Sequence, residues 1–279
     1  MISETAEKDD AESLRQRITD TVTYLRLRSV SDGEGSTDEP WHDASELIDN
    51  GGQLLALVNE ASSARGIARA DIGLSLFVQA YAFRVASAAL VGWILTGGRH
   101  HLDISPSNVS IQLGRNRPNA IRFNHVRFAE ASVHSSIFEH HLQPLVETAH
   151  RSFNEARTAP GEGTNLRIGK KLLLGNIGAS IASSFGAVAS TMSDPDGVRG
   201  LAKDFTAGAP AEIQAAGRFV LFRGEKPDPV WAWERTSCCL WYQVEPADPS
   251  QDPFKCADCS LWTDAERHTR YVAATGAIH

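Results

Sequence analysis

Cysteine is absent from the first 237 residues of this 279-residue chain, and methionine occurs only twice. Basic residues are also scarce, because 27 Lys and Arg stand against 34 Asp and Glu, for a net charge of −7. Nucleic acid is bound by basic faces, so it is not expected as a partner. The acidic start, MISETAEKDDAESLRQ, lacks the apolar core of a secretory signal, which predicts a cytoplasmic protein.

No apolar run is long enough to suggest a membrane span. The longest such stretch, residues 72–96, is interrupted by Gln79 and Arg84, and its last uninterrupted part covers only residues 85–95. A span needs about 20 consecutive apolar residues. The stretch therefore predicts a buried core helix and no transmembrane segment, while peripheral contact with a membrane surface is left open.

Nucleotide-binding fingerprints are missing as well. The stretch GEGTNL begins like the Gly-x-Gly-x-x-Gly motif of dinucleotide-binding folds, but it ends in Leu166 and follows no predicted strand. The chain has no P-loop either. If this chain does redox chemistry, we therefore expect another protein to supply the electrons.

Hydrophobic periodicity predicts a mostly helical chain with a few strands. Helices are predicted over residues 10–28, 45–48, 53–64, 72–95, 136–157, 166–191, 196–205 and 211–215. Residues 108–113 and 120–126 alternate apolar and polar side chains around the turn sequence GRNRPN, which predicts a β-hairpin. Two further strands, over 218–222 and 229–237, are predicted just before the first cysteine.

The predicted fold class is α+β. A mostly helical body, residues 1–217, would contain the central β-hairpin or small antiparallel sheet and the substrate-binding region. Residues 218–279 would form a C-terminal region that binds a cofactor. The sequence leaves open whether this region is a domain of its own or continuous with the body.

All four cysteines lie close together near the C-terminal end. Cys238 and Cys239 are adjacent, sixteen residues follow, and Cys256 and Cys259 form a Cys-x-x-Cys pair. In a reducing compartment, clustered cysteines are more often metal ligands or redox groups than disulfides. Neighbours on an extended chain point to opposite faces, so an adjacent pair suits a two-metal cluster better than a single ion. Four thiolates also match the ligand number of a [2Fe–2S] centre.

Three other interpretations of the cysteines remain open. A structural zinc site with four thiolate ligands is the strongest of them, although such sites usually contain two Cys-x-x-Cys units. Disulfides are disfavoured in the expected compartment. Unrelated core cysteines would be scattered along the chain, whereas these four are clustered.

The order of these cysteines resembles a family signature. An adjacent pair preceded by Arg-Thr-Ser and followed by Tyr242, then a loop and a Cys-x-x-Cys pair, is similar to the C-terminal signature of the FhuF-type ferric-siderophore reductases. The resemblance covers residues 235–262; the loop here is longer, and Ser260 stands where the family usually has proline. It implies a [2Fe–2S] cluster whose four ligands are Cys238, Cys239, Cys256 and Cys259. It implies no catalytic residue beyond these ligands.

This resemblance implies an enzyme that reduces siderophore-bound Fe(III) to Fe(II) by one electron, releasing iron in the cytoplasm. Siderophores surround Fe(III) with hard oxygen donors and hold Fe(II) far more weakly. The implied partners are a ferric siderophore and an electron donor of the ferredoxin or flavodoxin type. Two alternatives from other classes are a non-enzymatic ligand-binding protein with a structural zinc site and a ferredoxin-like electron carrier.

Arginines and tryptophans complete the candidate site. Arg115, Arg117 and Arg122 crowd the predicted hairpin and would suit an anionic ferric complex, or simply a solvated strand face. Four of the six tryptophans flank the cysteines, where they could shield a cluster from water or form a small aromatic core: Trp231, Trp233, Trp241 and Trp262.

Overall fold

The computed structural model describes residues 10–23, 25–32, 39–114, 117–157, 167–222, 230–244, 255–256 and 259–276, and it confirms the predicted α+β class. The chain begins with α1 (Ala11–Thr21), β1 (Arg26–Ser29), β2 (Trp41–Asp43), α2 (Ala44–Asp49) and α3 (Gly51–Ser63). The helix predicted over residues 10–28 was too long. Side chains of β1 alternate between exposed and buried, a period of two that belongs to a strand.

The central element is α4 (Ala70–Leu95), which is buried on nearly all sides. Its most extensive packing partner is α6 (Lys170–Ala189). The helix ends at Leu95, the predicted residue, and Gly97 and Gly98 follow with left-handed φ angles of 63° and 85°.

Both central helices are long and apolar enough to cross a membrane, and they are the two such helices among the described residues. In the most apolar 18-residue window of each helix, 83% of the window is buried inside the fold in α4 and 61% in α6. Burial of this degree agrees with the core helix that was predicted for residues 72–95. The sequence analysis had not singled out α6 as a second candidate.

A four-stranded sheet covers part of α4. Its strand order is β1-β4-β3-β2, with β3 (Val109–Leu113) and β4 (Pro118–Phe123) forming the predicted hairpin. Strand β1 runs parallel to β4, so the sheet is mixed and not purely antiparallel as expected. The pairing was missed because residues 26–28, most of β1, had been assigned to the end of the first predicted helix.

Helices resume after the sheet, close to their predicted positions. A π-helical segment (Ser135–Leu142) continues into α5 (Gln143–Arg157), and α6 is followed by α7 (Pro195–Gly208) and α8 (Ala211–Ala216). One apolar core connects these helices with α4 and the inner face of the sheet.

The C-terminal part contains an antiparallel hairpin of β5 (Gly217–Phe222) and β6 (Val230–Arg235), then α9 (Asp264–Gly276). The hairpin packs on α6. Close approach depends on Gly178, where a Cβ atom would lie 2.5 Å from the Trp233 ring. Contacts thus cross the boundary predicted at residue 217, and the division of the chain at this residue stays a prediction.

Helix α9 was not predicted, although the sequence contains its start signal. Thr263 and Glu266 form a capping box: the Thr263 N–H donates to Glu266 Oε2 at 2.8 Å, and the Glu266 N–H donates to Thr263 Oγ1 at 3.3 Å. The pattern Thr-x-x-Glu marks a helix N-terminus.

Candidate metal centre and adjoining cleft

The first cysteine pair lies in a sharp turn directly after β6. Leu240 follows the pair with a left-handed φ of 68°, and it is the one non-glycine residue with positive φ in the described part of the chain. A branched side chain adopts this conformation only when its surroundings impose it. Here the Leu240 N–H donates to Cys238 Sγ at 3.3 Å, and Leu240 packs against apolar side chains at the start of α4.

Cys239 and Cys256 bring the two halves of the motif together. Their Sγ atoms are 3.5 Å apart, far beyond the about 2.05 Å of a disulfide bond, and all four cysteines are free thiols. Two thiolates on one tetrahedral metal ion, each about 2.3 Å from it, lie roughly 3.8 Å from each other. The spacing of this pair therefore fits a shared metal ion.

The other two cysteines lie in the same neighbourhood. A hydrogen bond with Cys239 and burial raise the pKa of Cys238, and the charges of Cys239 and Cys259 add to the effect. The pKa of Cys239 is lowered by its hydrogen bonds with Cys238 and Cys256 and by the charge of Arg235. The pKa values of Cys238 and Cys239 thus depend on their neighbours in the motif.

The donor set fits an iron–sulfur cluster in kind and in number. Four thiolates are the ligands that a [2Fe–2S] centre requires, and the Cys239–Cys256 pair has a suitable separation. Within the described ranges, however, no three Cys, His, Asp or Glu side chains are already assembled as a metal site. Among the described residues, Cys239 and Cys256 form a sulfur–sulfur contact of the motif, and all four cysteines are the residues that would hold a cluster.

A buried polar network connects the cysteine turn to the helical body. Ser75 of α4 donates from Oγ to the Cys239 carbonyl oxygen at 2.7 Å. Asn176 of α6 donates to the Ser75 carbonyl at 2.8 Å and accepts a hydrogen bond from Arg235 at 3.0 Å. These side chains are almost fully buried, so the network fixes the position of the turn on the two core helices.

The second pair is held by its own turn and by Trp262. The Cys259 N–H donates to the Cys256 carbonyl at 3.1 Å, and Trp262 Nε1 donates to the same carbonyl at 3.0 Å. The Trp262 ring packs against Lys255 and Arg270, whose charged groups lie 4.3 Å and 3.7 Å from the ring centre. The segment between the cysteine pairs, residues 245–254, lies outside the described residues.

The tryptophans that flank the cysteines lie in different surroundings. Trp233 is a core residue, buried against α6 and in edge contact with Phe219. Trp241 and Trp262 lie beside the cysteines. The side chain of Trp231 lies outside the described part of the structure.

A cleft of about 450 Å³ opens beside Cys256. It lies between α4, α6 and the turn that follows the first cysteine pair. Small-molecule sites usually enclose about 300–1,000 Å³, so the cleft is large enough for a ligand. Its walls include three arginines, two aromatic side chains and one cysteine: Arg65, Arg84, Arg117, Phe83, Trp241 and Cys256.

The three arginines singled out from the sequence have separate positions. Arg117 lines the cleft, whereas Arg122 lies on β4 with its guanidinium 4.7 Å from the centre of the Trp41 ring and is not part of the cleft wall. Arg115 falls outside the described residues. The sequence analysis missed Arg65 and Arg84, although Arg84 interrupts an otherwise apolar stretch and was therefore a visible signal.

Comparison with protein-family models, with curated proteins and with solved structures gives no match to this chain. The resemblance to the FhuF-type reductases therefore rests on residues 235–262 alone. The proposal for function has to be argued from the chemistry of the cysteines and of the cleft beside them.

Proposed function

We propose that the protein is a ferric-siderophore reductase of the cytoplasm, and that a [2Fe–2S] cluster bound by the four cysteines is its electron carrier. One observation carries the proposal: Cys256 belongs both to the cysteine group and to the wall of a ligand-sized cleft. A ligand in this cleft would lie next to the electron carrier. A metal site with a purely structural role does not require a ligand-sized cleft beside it.

The residues of the chain have distinct tasks in this proposal. The thiolates of Cys238, Cys239, Cys256 and Cys259 hold the cluster, which when bound supplies one electron at a time. Trp241 and Trp262 cover the cysteines and restrict water. The cleft seats the ferric complex, and no side chain has to transfer a proton to or from the iron.

Iron release follows from the change in oxidation state. One electron converts Fe(III) to Fe(II), for which the hard oxygen donors of a siderophore have a much lower affinity. The electron has to come from a separate donor, and we propose a ferredoxin or flavodoxin type, since the sequence has no nucleotide fingerprint. NADH or NADPH alone should then leave the protein oxidised.

The experiment is a single turnover under argon with protein that has been reduced by one electron equivalent. Mixing with a ferric siderophore should reoxidise the cluster and release one Fe(II), trapped by ferrozine, per electron. The iron-free siderophore is the control and should leave the cluster reduced, because it contains no electron acceptor. A cluster indifferent to every ferric siderophore tried, yet able to reduce a redox protein, would identify a ferredoxin-like carrier instead.

A further inference from the structure

The cleft beside Cys256 has an unusual charge for this protein. Three guanidinium groups line it, and no carboxylate is among the described residues of its wall. The whole chain has the opposite balance, with a net charge of −7. A local excess of positive charge inside an acidic protein attracts anions to that place.

Two of these arginines lie close enough to repel each other. Burial lowers the pKa of Arg65, and the positive charge of Arg117 lowers it further. In the part of the chain that the structure describes, neither has a carboxylate within ion-pair distance. An anion placed between the two guanidinium groups would relieve this repulsion.

Aromatic rings hold the guanidinium groups at the wall. Arg65 lies 5.2 Å from the centre of the Trp241 ring, and Arg84 lies 5.5 Å from that of Phe83. Stacking on a ring orients the planar group while its N–H edges stay able to donate hydrogen bonds. Such pre-oriented donors suit oxygen anions held in a fixed geometry, as they are around a chelated metal ion.

We propose that this cleft is an anion-selective binding site for negatively charged Fe(III) chelates, and that Arg65 and Arg117 contact the bound chelate. The inference rests on the proposed function, and it adds the charge class of the substrate. Complexes with net negative charge, such as tris-catecholates, are then favoured over neutral tris-hydroxamates of similar size. Trp241 and Phe83 contact the apolar parts of the ligand.

Gallium(III) complexes separate binding from electron transfer, because gallium(III) is not reduced under these conditions. Titration calorimetry would compare a trianionic Ga(III) tris-catecholate with a neutral Ga(III) tris-hydroxamate on the full-length, metal-loaded protein. The variants are Arg65→Gln, Arg117→Gln and the pair together, and Arg65→Lys retains the charge. Arg151→Gln is the matched control, since Arg151 is exposed on α5.

The wild-type protein should prefer the anionic complex, and the double variant should lose about tenfold or more of that affinity. Its affinity for the neutral complex should change less than twofold, and Arg65→Lys should retain most of the preference. Equal binding of both complexes by the wild-type protein, or an equal loss in the Arg151→Gln control, would overturn the inference. Circular dichroism melting verifies that each variant is folded.

The two proposals can fail separately. Charge-selective binding of the gallium complex without electron transfer to the ferric complex would support the anion-selective cleft and contradict the reductase activity. Efficient reduction of neutral and anionic ferric complexes alike, with no effect of the double variant, would support the reductase activity and contradict the anion-selective cleft.

Discussion

Arg235 shows what a single residue contributes to the cysteine site. The residue is 3% exposed, and a buried charge is costly unless hydrogen bonds and opposite charge compensate it. Asn176 accepts one of its hydrogen bonds, and its charge lowers the pKa of Cys239. A fixed positive charge this close to the thiolates would also stabilise the extra negative charge of a reduced cluster.

Arg235→Gln should therefore lower the midpoint potential of the cluster. Loss of one nearby charge corresponds to about 1.4 kcal/mol, or roughly 60 mV for a one-electron couple. Redox titration monitored by electron paramagnetic resonance measures this shift. Arg235→Lys, which retains the charge, should shift the potential less, and Arg218→Gln is the exposed control on the neighbouring strand. An unchanged potential in Arg235→Gln would contradict a tuning role.

At the scale of elements, the β5–β6 hairpin and the start of the cysteine turn pack on α6. Its glycines Gly175 and Gly178 face Ser237 and Trp233, and a Cβ atom at either position would approach them to 2.4 Å and 2.5 Å. The Gly- and Ala-rich composition of this helix is typical of close packing against a neighbouring element. It did not indicate the partner, because the contact with β6 spans more than fifty residues of sequence.

Gly178→Ala should destabilise the protein, whereas Gly186→Ala on the same helix should not. The new methyl group at residue 178 meets the buried Trp233 ring, and overpacking of this kind costs about 1–3 kcal/mol. In the described part of the chain, no atom of another element lies within 4 Å of a Cβ at residue 186, so the higher helix propensity of alanine should add up to about 1 kcal/mol. Urea unfolding measures both effects.

If Gly178→Ala were as stable as Gly186→Ala, the close packing of Gly178 against the Trp233 ring would be contradicted. The same pair of variants also reports on the cofactor. Since Trp233 lies on the strand that leads into Cys238, Gly178→Ala should lose the cluster faster on exposure to a chelator.

Across the whole molecule, local patterns were easier to predict than long-range contacts. The central helix and the β3–β4 hairpin follow from periodicity and turn residues, and they were predicted. Strand β1 and the Ser75–Asn176–Arg235 network were not, because parallel pairing and buried polar contacts connect residues far apart in sequence. The spacing of the four cysteines indicated that they are metal ligands. The cleft could not be predicted in this way, because it forms only when α4 and α6 pack together.

Two buried histidines predict how the stability of the whole molecule depends on pH. Burial lowers the pKa of both His101 and His141 to about 4, compared with about 6.5 in an unfolded chain. Between these values the unfolded state binds more protons, so the free energy of unfolding should fall as the pH drops from about 6.5 to 4. Each histidine contributes at most roughly 3 kcal/mol to this loss.

Urea unfolding at pH 7 and pH 5 measures the effect. The loss of stability between these two values should be smaller in His101→Gln than in the wild-type protein, because one of the groups is removed. His140→Gln, at an exposed position, should retain the wild-type dependence. A pH dependence that is the same in all three proteins would rule out His101 as a cause.

The most direct test of the cluster assignment is the metal and sulfide content of protein prepared anaerobically with sufficient iron. The account predicts two irons and two acid-labile sulfides per chain, a red-brown colour, and loss of both in Cys256→Ser. One zinc per chain, no sulfide and no visible absorption would contradict it, and the four cysteines would then form a structural zinc site.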